Sequence, residues 1–171
     1  MIDANDNYRN QVKDRYEFSS WAGRTKDGDA RVSGFNVPSD AIRGLELIER
    51  EELPPSGRQR RITRYVYSSS SEGGGQRQVV TVFECDSPAD AHETLIDVVM
   101  TYMAPGLPRC ETKELSVGDI CFCGHGDMNS SVIFARSNVL VEIKNASSPP
   151  APVDELAKNF DALILTRLRA S

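Results

Sequence analysis

Ser131 to Ile143, SVIFARSNVLVEI, is the stretch that most narrows the folds open to this chain. Two runs rich in β-branched and aromatic residues, Ser131 to Ala135 and Val139 to Ile143, flank a short break at Ser137-Asn138, the pattern of a tight β-hairpin. Asn138 tolerates the positive φ that such a turn needs. With Ser137 and Asn138 as the loop residues, Arg136 faces Val139, Phe134 faces Val141 and Val132 faces Ile143. That register gathers Val132, Phe134, Val141 and Ile143 on one apolar face. The other face sets Ile133 and Ala135 against Leu140, Glu142 and Lys144, a mixed set expected to be only partly covered. A third short strand, Asp119 to Cys123, precedes the hairpin between Gly118 and the Gly124-His125-Gly126-Asp127 break, which makes the unit a three-stranded meander.

A second hairpin is expected upstream, from Arg61–Tyr67 and Gln78–Cys85, with the loop Ser68–Gly75 (SSSSEGGG) as a flexible tip. Both faces of its second strand are largely apolar, which places that strand centrally in a sheet. Ser87-Pro88-Ala89-Asp90 opens a helix with a cap, a proline in the first turn and a capping-box acid; Ala91, Leu95, Val98, Val99 and Tyr102 form its buried stripe, and Ala104-Pro105-Gly106 closes it. A last helix runs from about Pro152 to Leu168, after the Ser147–Pro150 bend, with Val153, Leu156, Ala157, Phe160, Ile164 and Leu168 on one face. Pro38-Ser39-Asp40 reads as a further helix start, with Ile42, Leu45 and Ile48 as a narrow stripe up to about Glu52, ended by Leu53-Pro54-Pro55. Val32 to Val37 reads as a short edge strand. The polar segment 1–30 stays open, because Tyr8, Val12 and Tyr16 have helical spacing while Tyr16-Glu17-Phe18 equally opens a strand. Hairpin, helix, meander and helix predict a single α+β domain over residues 1–171, its antiparallel sheet covered by helices on one face.

At 171 residues, 39% hydrophobic and 26% charged, the chain is of ordinary globular composition and size. It holds no apolar run near the roughly 20 residues of a membrane-spanning helix. A net charge of −5 and a pI near 5.1 argue against a nucleic-acid partner, which calls for a basic surface. The start, MIDANDNYRN, lacks the features of a signal peptide, and its abrupt polarity fits a chain whose leader has been removed.

Chemistry-bearing residues are few. Cys121, Cys123 and His125 would project to one side of an extended strand, as ligands for a zinc ion do. Two other arrangements stay open: Cys121 and Cys123 as small buried core residues, or a disulfide from Cys110 to Cys121 or Cys123 in an exported protein. His92, in the first turn of its helix, is expected to be solvated. No phosphate loop, dinucleotide fingerprint or zinc-protease motif is present, and the serines of SSSSEGGG have no base nearby. Arginines concentrate on the first hairpin, and Arg61, Arg64, Tyr65, Tyr67 and Arg77 form a candidate contact surface for another protein, since Arg and Tyr are favoured at interfaces. The same charges equally serve to protect a sheet edge.

Val117-Gly118-Asp119, then Ser131-Val132-Ile133-Phe134-Ala135-Arg136-Ser137-Asn138-Val139-Leu140-Val141, then the helix starting near Val153-Asp154-Glu155-Leu156-Ala157, resembles a module of uncharacterised bacterial exported or lipoprotein-like domains. Those read GD, a gap, V-x-F-x-R-G-N-V-L-V and a closing helix; here Ser137 stands in place of the glycine. The resemblance spans about residues 117–168, carries no catalytic residue, and implies an extracytoplasmic setting. The expectation is a non-catalytic binding or protein-interaction module without a cofactor. The alternatives are a small metal or thiol site on Cys121, Cys123 and His125, or an enzyme whose site no local pattern exposes.

Overall fold

A computed structural model describes residues 4–28, 30–69, 75–102 and 106–170, with side chains from Asp6 onward. The C-terminal meander forms as its residue pattern dictates: β4 (Ile120–Cys123), β5 (Ser131–Arg136) and β6 (Val139–Asn145), with Arg136 opposite Val139, Phe134 opposite Val141 and Val132 opposite Ile143. Ser137, not Asn138, takes the positive φ, at +50°. A left-handed first loop position is what a two-residue hairpin of this kind requires, and glycine is its usual occupant. Asn138 is used differently. Its buried amide accepts from Val32 N–H (2.8 Å) and donates to the carbonyls of Val32 (2.9 Å) and Cys85 (3.0 Å).

The upstream hairpin also forms, from β2 (Gln59–Ser68) and β3 (Arg77–Cys85); the tip, residues 70–74, lies outside the described residues. Strand β3 is central, as its two apolar faces require, because it pairs with β2 on one side and β6 on the other. The result is one antiparallel sheet in the order β1-β2-β3-β6-β5-β4. Its first strand is a correction. The segment expected as a helix from Ser39 to Glu52 is instead a bend followed by β1 (Glu46–Leu53). Gly44 at φ +82° turns the chain out of any helix, and Leu45 and Leu47 alternate onto the core as strand residues do, while Ile48 lies at a bulge and is exposed. Val32 to Val37 is extended but joins no ladder. Its backbone is held by side chains: Asn138 at Val32, and the Glu84 carboxylate, which accepts from Gly34 N–H (2.9 Å) and Phe35 N–H (2.8 Å).

Helices cover both faces of the sheet, where one covered face was expected. Helix α3 (Asp154–Arg169) buries Val153, Leu156, Ala157, Phe160, Ile164 and Leu168 against Tyr65, Tyr67, Val132, Phe134, Val141 and Ile143. Helix α2 (Pro88–Val99) packs on the other face, where Leu95, Ile96 and Val99 bury Ile133, Ala135 and Leu140 to 1% exposure or less. The apolar half of that mixed face is therefore core, and its polar half, Glu142, accepts from the Tyr102 hydroxyl (2.8 Å) and pairs with Lys144 (2.7 Å). Ser87 caps α2 by accepting from Asp90 N–H (3.1 Å). Residues 103–105, within the expected closing signal, lie outside the described residues.

The polar N-terminal segment is ordered onto this second face. Helix α1 (Ala4–Arg15) precedes a 3-10 turn (Phe18–Arg24) that places Trp21, 1% exposed, against Phe122 and His92. Arg9 and Lys13 bond Glu93 at 2.6 and 2.7 Å, and Arg9 also pairs with Asp97. Among the described residues, no helix is long and apolar enough to cross a membrane.

Candidate functional site

Most residues singled out by sequence are spent on architecture. Cys121 is bonded to Cys110 in a disulfide with a Cα–Cα distance of 5.4 Å, so its sulfur is not a free ligand. Cys123 is buried with its Sγ 3.7 Å from the Pro108 carbonyl, and His125 is exposed on its glycine loop. The zinc arrangement of Cys121, Cys123 and His125 is thus not assembled, and among the described residues no three His, Cys, Asp or Glu side chains are placed to hold a metal.

The arginine hairpin divides by face. Tyr65 and Tyr67 point inward, fully buried, and meet the Phe160 ring at centroid distances of 6.0 and 6.1 Å, which removes both from any contact surface. The alternation of β2 required one face to be core, and the tyrosines share that face with Thr63. Arg61 is tied to Glu52, and its guanidinium lies 3.8 Å from the Glu84 carboxylate. Arg64 and Arg77 remain in solvent, paired at 3.9 and 3.8 Å with Glu51 and Glu49 of the edge strand β1. Dense charge of both signs plus a bulge are the devices that keep an edge from accepting another strand.

The concentration of unusual electrostatics lies at the opposite end of the sheet. Arg136, the last residue of β5, is buried and gives Nε and Nη2 to the two oxygens of Asp161 at 2.9 and 2.8 Å. Its Nη1 reaches Asp119 at 3.2 Å and stands 3.8 Å from Asp27. Asp119 also accepts from the Ser137 N–H at 3.0 Å, so the carboxylate pins the hairpin turn. Burial works against the Arg136 cation, and the carboxylates of Asp161, Asp119 and Asp27 more than offset it, holding its pKa above the ordinary value. One guanidinium here faces three carboxylates. Asp27 Oδ2 is the one left over, buried and without a hydrogen-bond partner.

His92 lies beside this cluster and is a second correction. It is 4% exposed, packed edge-on to Trp21 at 5.7 Å, and its Nε2 is buried without a partner. Burial pushes its pKa down, against the opposing pull of Asp119 and Glu93. His92 is one of the residues lining a cleft of about 250 Å³, with Ala22, Thr25, Gly28, Pro88 and Ala89, between the 3-10 turn and the first turn of α2. The walls are mostly apolar, with the imidazole as the principal polar group. A helix-start histidine reads as solvated only while Trp21 has no assigned place.

One signal for the buried cluster was legible. Asp161 falls four residues after Ala157 and three before Ile164, on the apolar stripe of α3, and an acid on a buried stripe demands a partner. Among the described residues, no serine, threonine or cysteine is hydrogen-bonded to Nε2 as a nucleophile to its base. The free thiol nearest in sequence, Cys85, is raised by burial to about 11 and contacts Thr94. No protein family, curated protein or solved structure matches this chain.

Proposed function

We propose that this chain is a non-catalytic binding domain that takes a small molecule in the cleft between the 3-10 turn and the N-terminus of α2. The observation that carries this is His92, a residue lining a mostly apolar cleft, whose Nε2 is buried without a partner. A buried polar atom without a partner costs about 1–3 kcal/mol, so a fold keeps one where something else supplies the bond. Both elements that border it are held in place: α2 is capped by Ser87, and the 3-10 turn that carries Ala22 is anchored through Trp21, whose Nε1–H donates to the Tyr16 carbonyl at 2.9 Å. The site is therefore formed before a ligand arrives, as small-molecule pockets generally are.

An extracytoplasmic setting belongs to the same proposal. A disulfide bond persists in oxidising compartments and is rare in reducing ones, and the resemblance of residues 117–168 to exported domains points the same way. The test is a fragment screen by thermal shift on the wild-type protein and on Ala89→Trp, whose new side chain, placed on an exposed position at the lip, fills the cleft. Fragments that raise the melting temperature of the first and not of the second support the assignment. Hits shared equally by both place the binding elsewhere and refute it.

A further inference from the structure

We infer that the N-terminal arm, α1 with the 3-10 turn, is a cover that acid releases, and that His92 is the group that senses the proton. Among the described residues, none of the arm pairs with a strand of the sheet. Its attachment comes down to the buried Val12, Tyr16 and Trp21, to the Tyr16 hydroxyl that accepts from Leu107 N–H (2.8 Å), and to ion pairs of Arg9, Lys13 and Glu17 with Glu93, Asp97 and Arg109. Those pairs are partly exposed and contribute little each. Beneath the arm, Trp21 lies edge-on to the His92 ring at 5.7 Å, and His92 Nε2 is closed to solvent without a hydrogen-bond partner. An imidazolium donates from both ring nitrogens, so a protonated His92 held there carries a buried charge with an unbonded N–H. Water supplies the missing bond once Trp21 lifts away.

The charged groups about His92 come from each element packed on it. Glu93 follows it on α2 and is clamped by Arg9 and Lys13 of α1. Asp119, just before β4, is bonded to Arg136 of β5, and Asp27, after the 3-10 turn, stands 3.8 Å from the same guanidinium. Burial disfavours the charged imidazole more than Asp119 and Glu93 favour it, so the native pKa lies below the ordinary value. With the arm lifted, His92 returns to about 6.5, and the open form takes a proton that the closed form refuses. Closure is therefore fully favoured above that pH and weakens as the pH falls through it. The Glu93 clamp stays charged in this range: burial works against the carboxylate, but the bonds from Lys13 and Arg9 outweigh it and hold its pKa below the ordinary value. Glu84 has the opposite sign. Burial raises its carboxyl against the bonds from Phe35 and Gly34, so acid favours its folded form, and it holds that segment rather than the arm. Departure of the arm uncovers Phe122, whose ring meets Tyr16 at 4.7 Å and Trp21 at 5.8 Å, and takes Ala22 from the cleft, whatever that cleft binds.

The test is native-state hydrogen exchange of the full chain, read by nuclear magnetic resonance at pH ~7 and ~5, with each rate expressed as protection relative to the unstructured rate at that pH. The markers are the Trp21 Nε1–H, bonded to the Tyr16 carbonyl at 2.9 Å, and the Tyr16 amide, bonded to the Val12 carbonyl at 3.1 Å. Amides of the central strands β3 and β6 report opening of the whole molecule. The arm is expected to be less protected than those strands at both pH values. Its protection is expected to fall by up to ~25-fold between them, the factor by which a proton on a site of pKa ~6.5 favours the open form. His92→Phe and His92→Gln, neither of which takes a proton, are expected to flatten that fall, and His125→Gln, at an exposed position, to leave it unchanged. Arm protection equal to that of β3 and β6 means that the arm opens only with the whole molecule and overturns the inference. So does a fall as large in either His92 variant as in the wild type. In the wild type alone, arm protection that is the same at both pH values overturns it without recourse to a variant.

Discussion

Replacing Arg136 with methionine isolates what holds the hairpin turn to helix α3. The unbranched stem is largely kept, so the change deletes the guanidinium with its bonds to Asp161 at 2.9 and 2.8 Å and to Asp119 at 3.2 Å. All three side chains are 10% exposed or less, so solvent screens little of the loss. Removing one member of a buried ion pair costs about 3–5 kcal/mol, because the partner's charge stays behind uncompensated. Here two buried carboxylates and the partly buried Asp27 stay behind, which puts Arg136→Met at the upper end, about 4–5 kcal/mol, out of the 5–15 kcal/mol typical of a domain. Asp161→Leu is milder, at about 1–3 kcal/mol, since Arg136 keeps Asp119 and Asp27 as counterions. Urea denaturation followed by far-ultraviolet circular dichroism at neutral pH measures both, with the slope of the transition unchanged. A loss below ~1 kcal/mol for Arg136→Met, or a larger loss for Asp161→Leu than for Arg136→Met, would refute the reasoning.

Three further outcomes are expected. The disulfide closes a loop with a sequence separation of 11, so Cys110→Ser/Cys121→Ser should lose about 3 kcal/mol, and reductant should lower the melting temperature of the wild type while leaving the variant unchanged. Gly118→Ala sets a methyl 2.7 Å from the Ala135 carbonyl at a φ of +67°, and should cost at least ~2 kcal/mol by urea denaturation, more than the same change at the exposed Gly28, where space is open. His92 is held neutral by burial while the unfolded chain protonates near ~6.5, so the stability it carries is present above that pH and is lost as the pH falls through it towards the depressed native value; melting temperatures of His92→Phe between pH ~7 and ~5 should fall less than those of the wild type, and an equal or steeper fall contradicts the assignment.

Pattern alone was enough for the strands and helices whose signals are local. The Ser131–Ile143 register, the capped helix at Ser87 and the stripe of α3 each follow from period and turn chemistry within a few residues. The failures share one cause, which is that the deciding partner is distant in sequence. The acidic run from Glu46 to Leu53 has spacing for a helix and becomes a strand because β2 offers it a ladder. Tyr65 and Tyr67 read as contact residues beside the arginines until Phe160, from the last helix, is laid across them. The candidate site was least legible of all. It takes His92 from one helix, Trp21 and Asp27 from a segment without clear periodicity, and Arg136 and Asp161 from the C-terminal third, and only the acid on the apolar stripe of α3 announced that anything was buried there.

The central claim, that the His92 cleft is a preformed site for a small molecule, is tested most directly by crystal structures of the protein soaked with the fragments that raise its melting temperature. The account predicts the fragment seated in the cleft against Pro88, Ala89 and His92. An empty cleft at saturating fragment, or fragments bound only elsewhere on the protein, would contradict it.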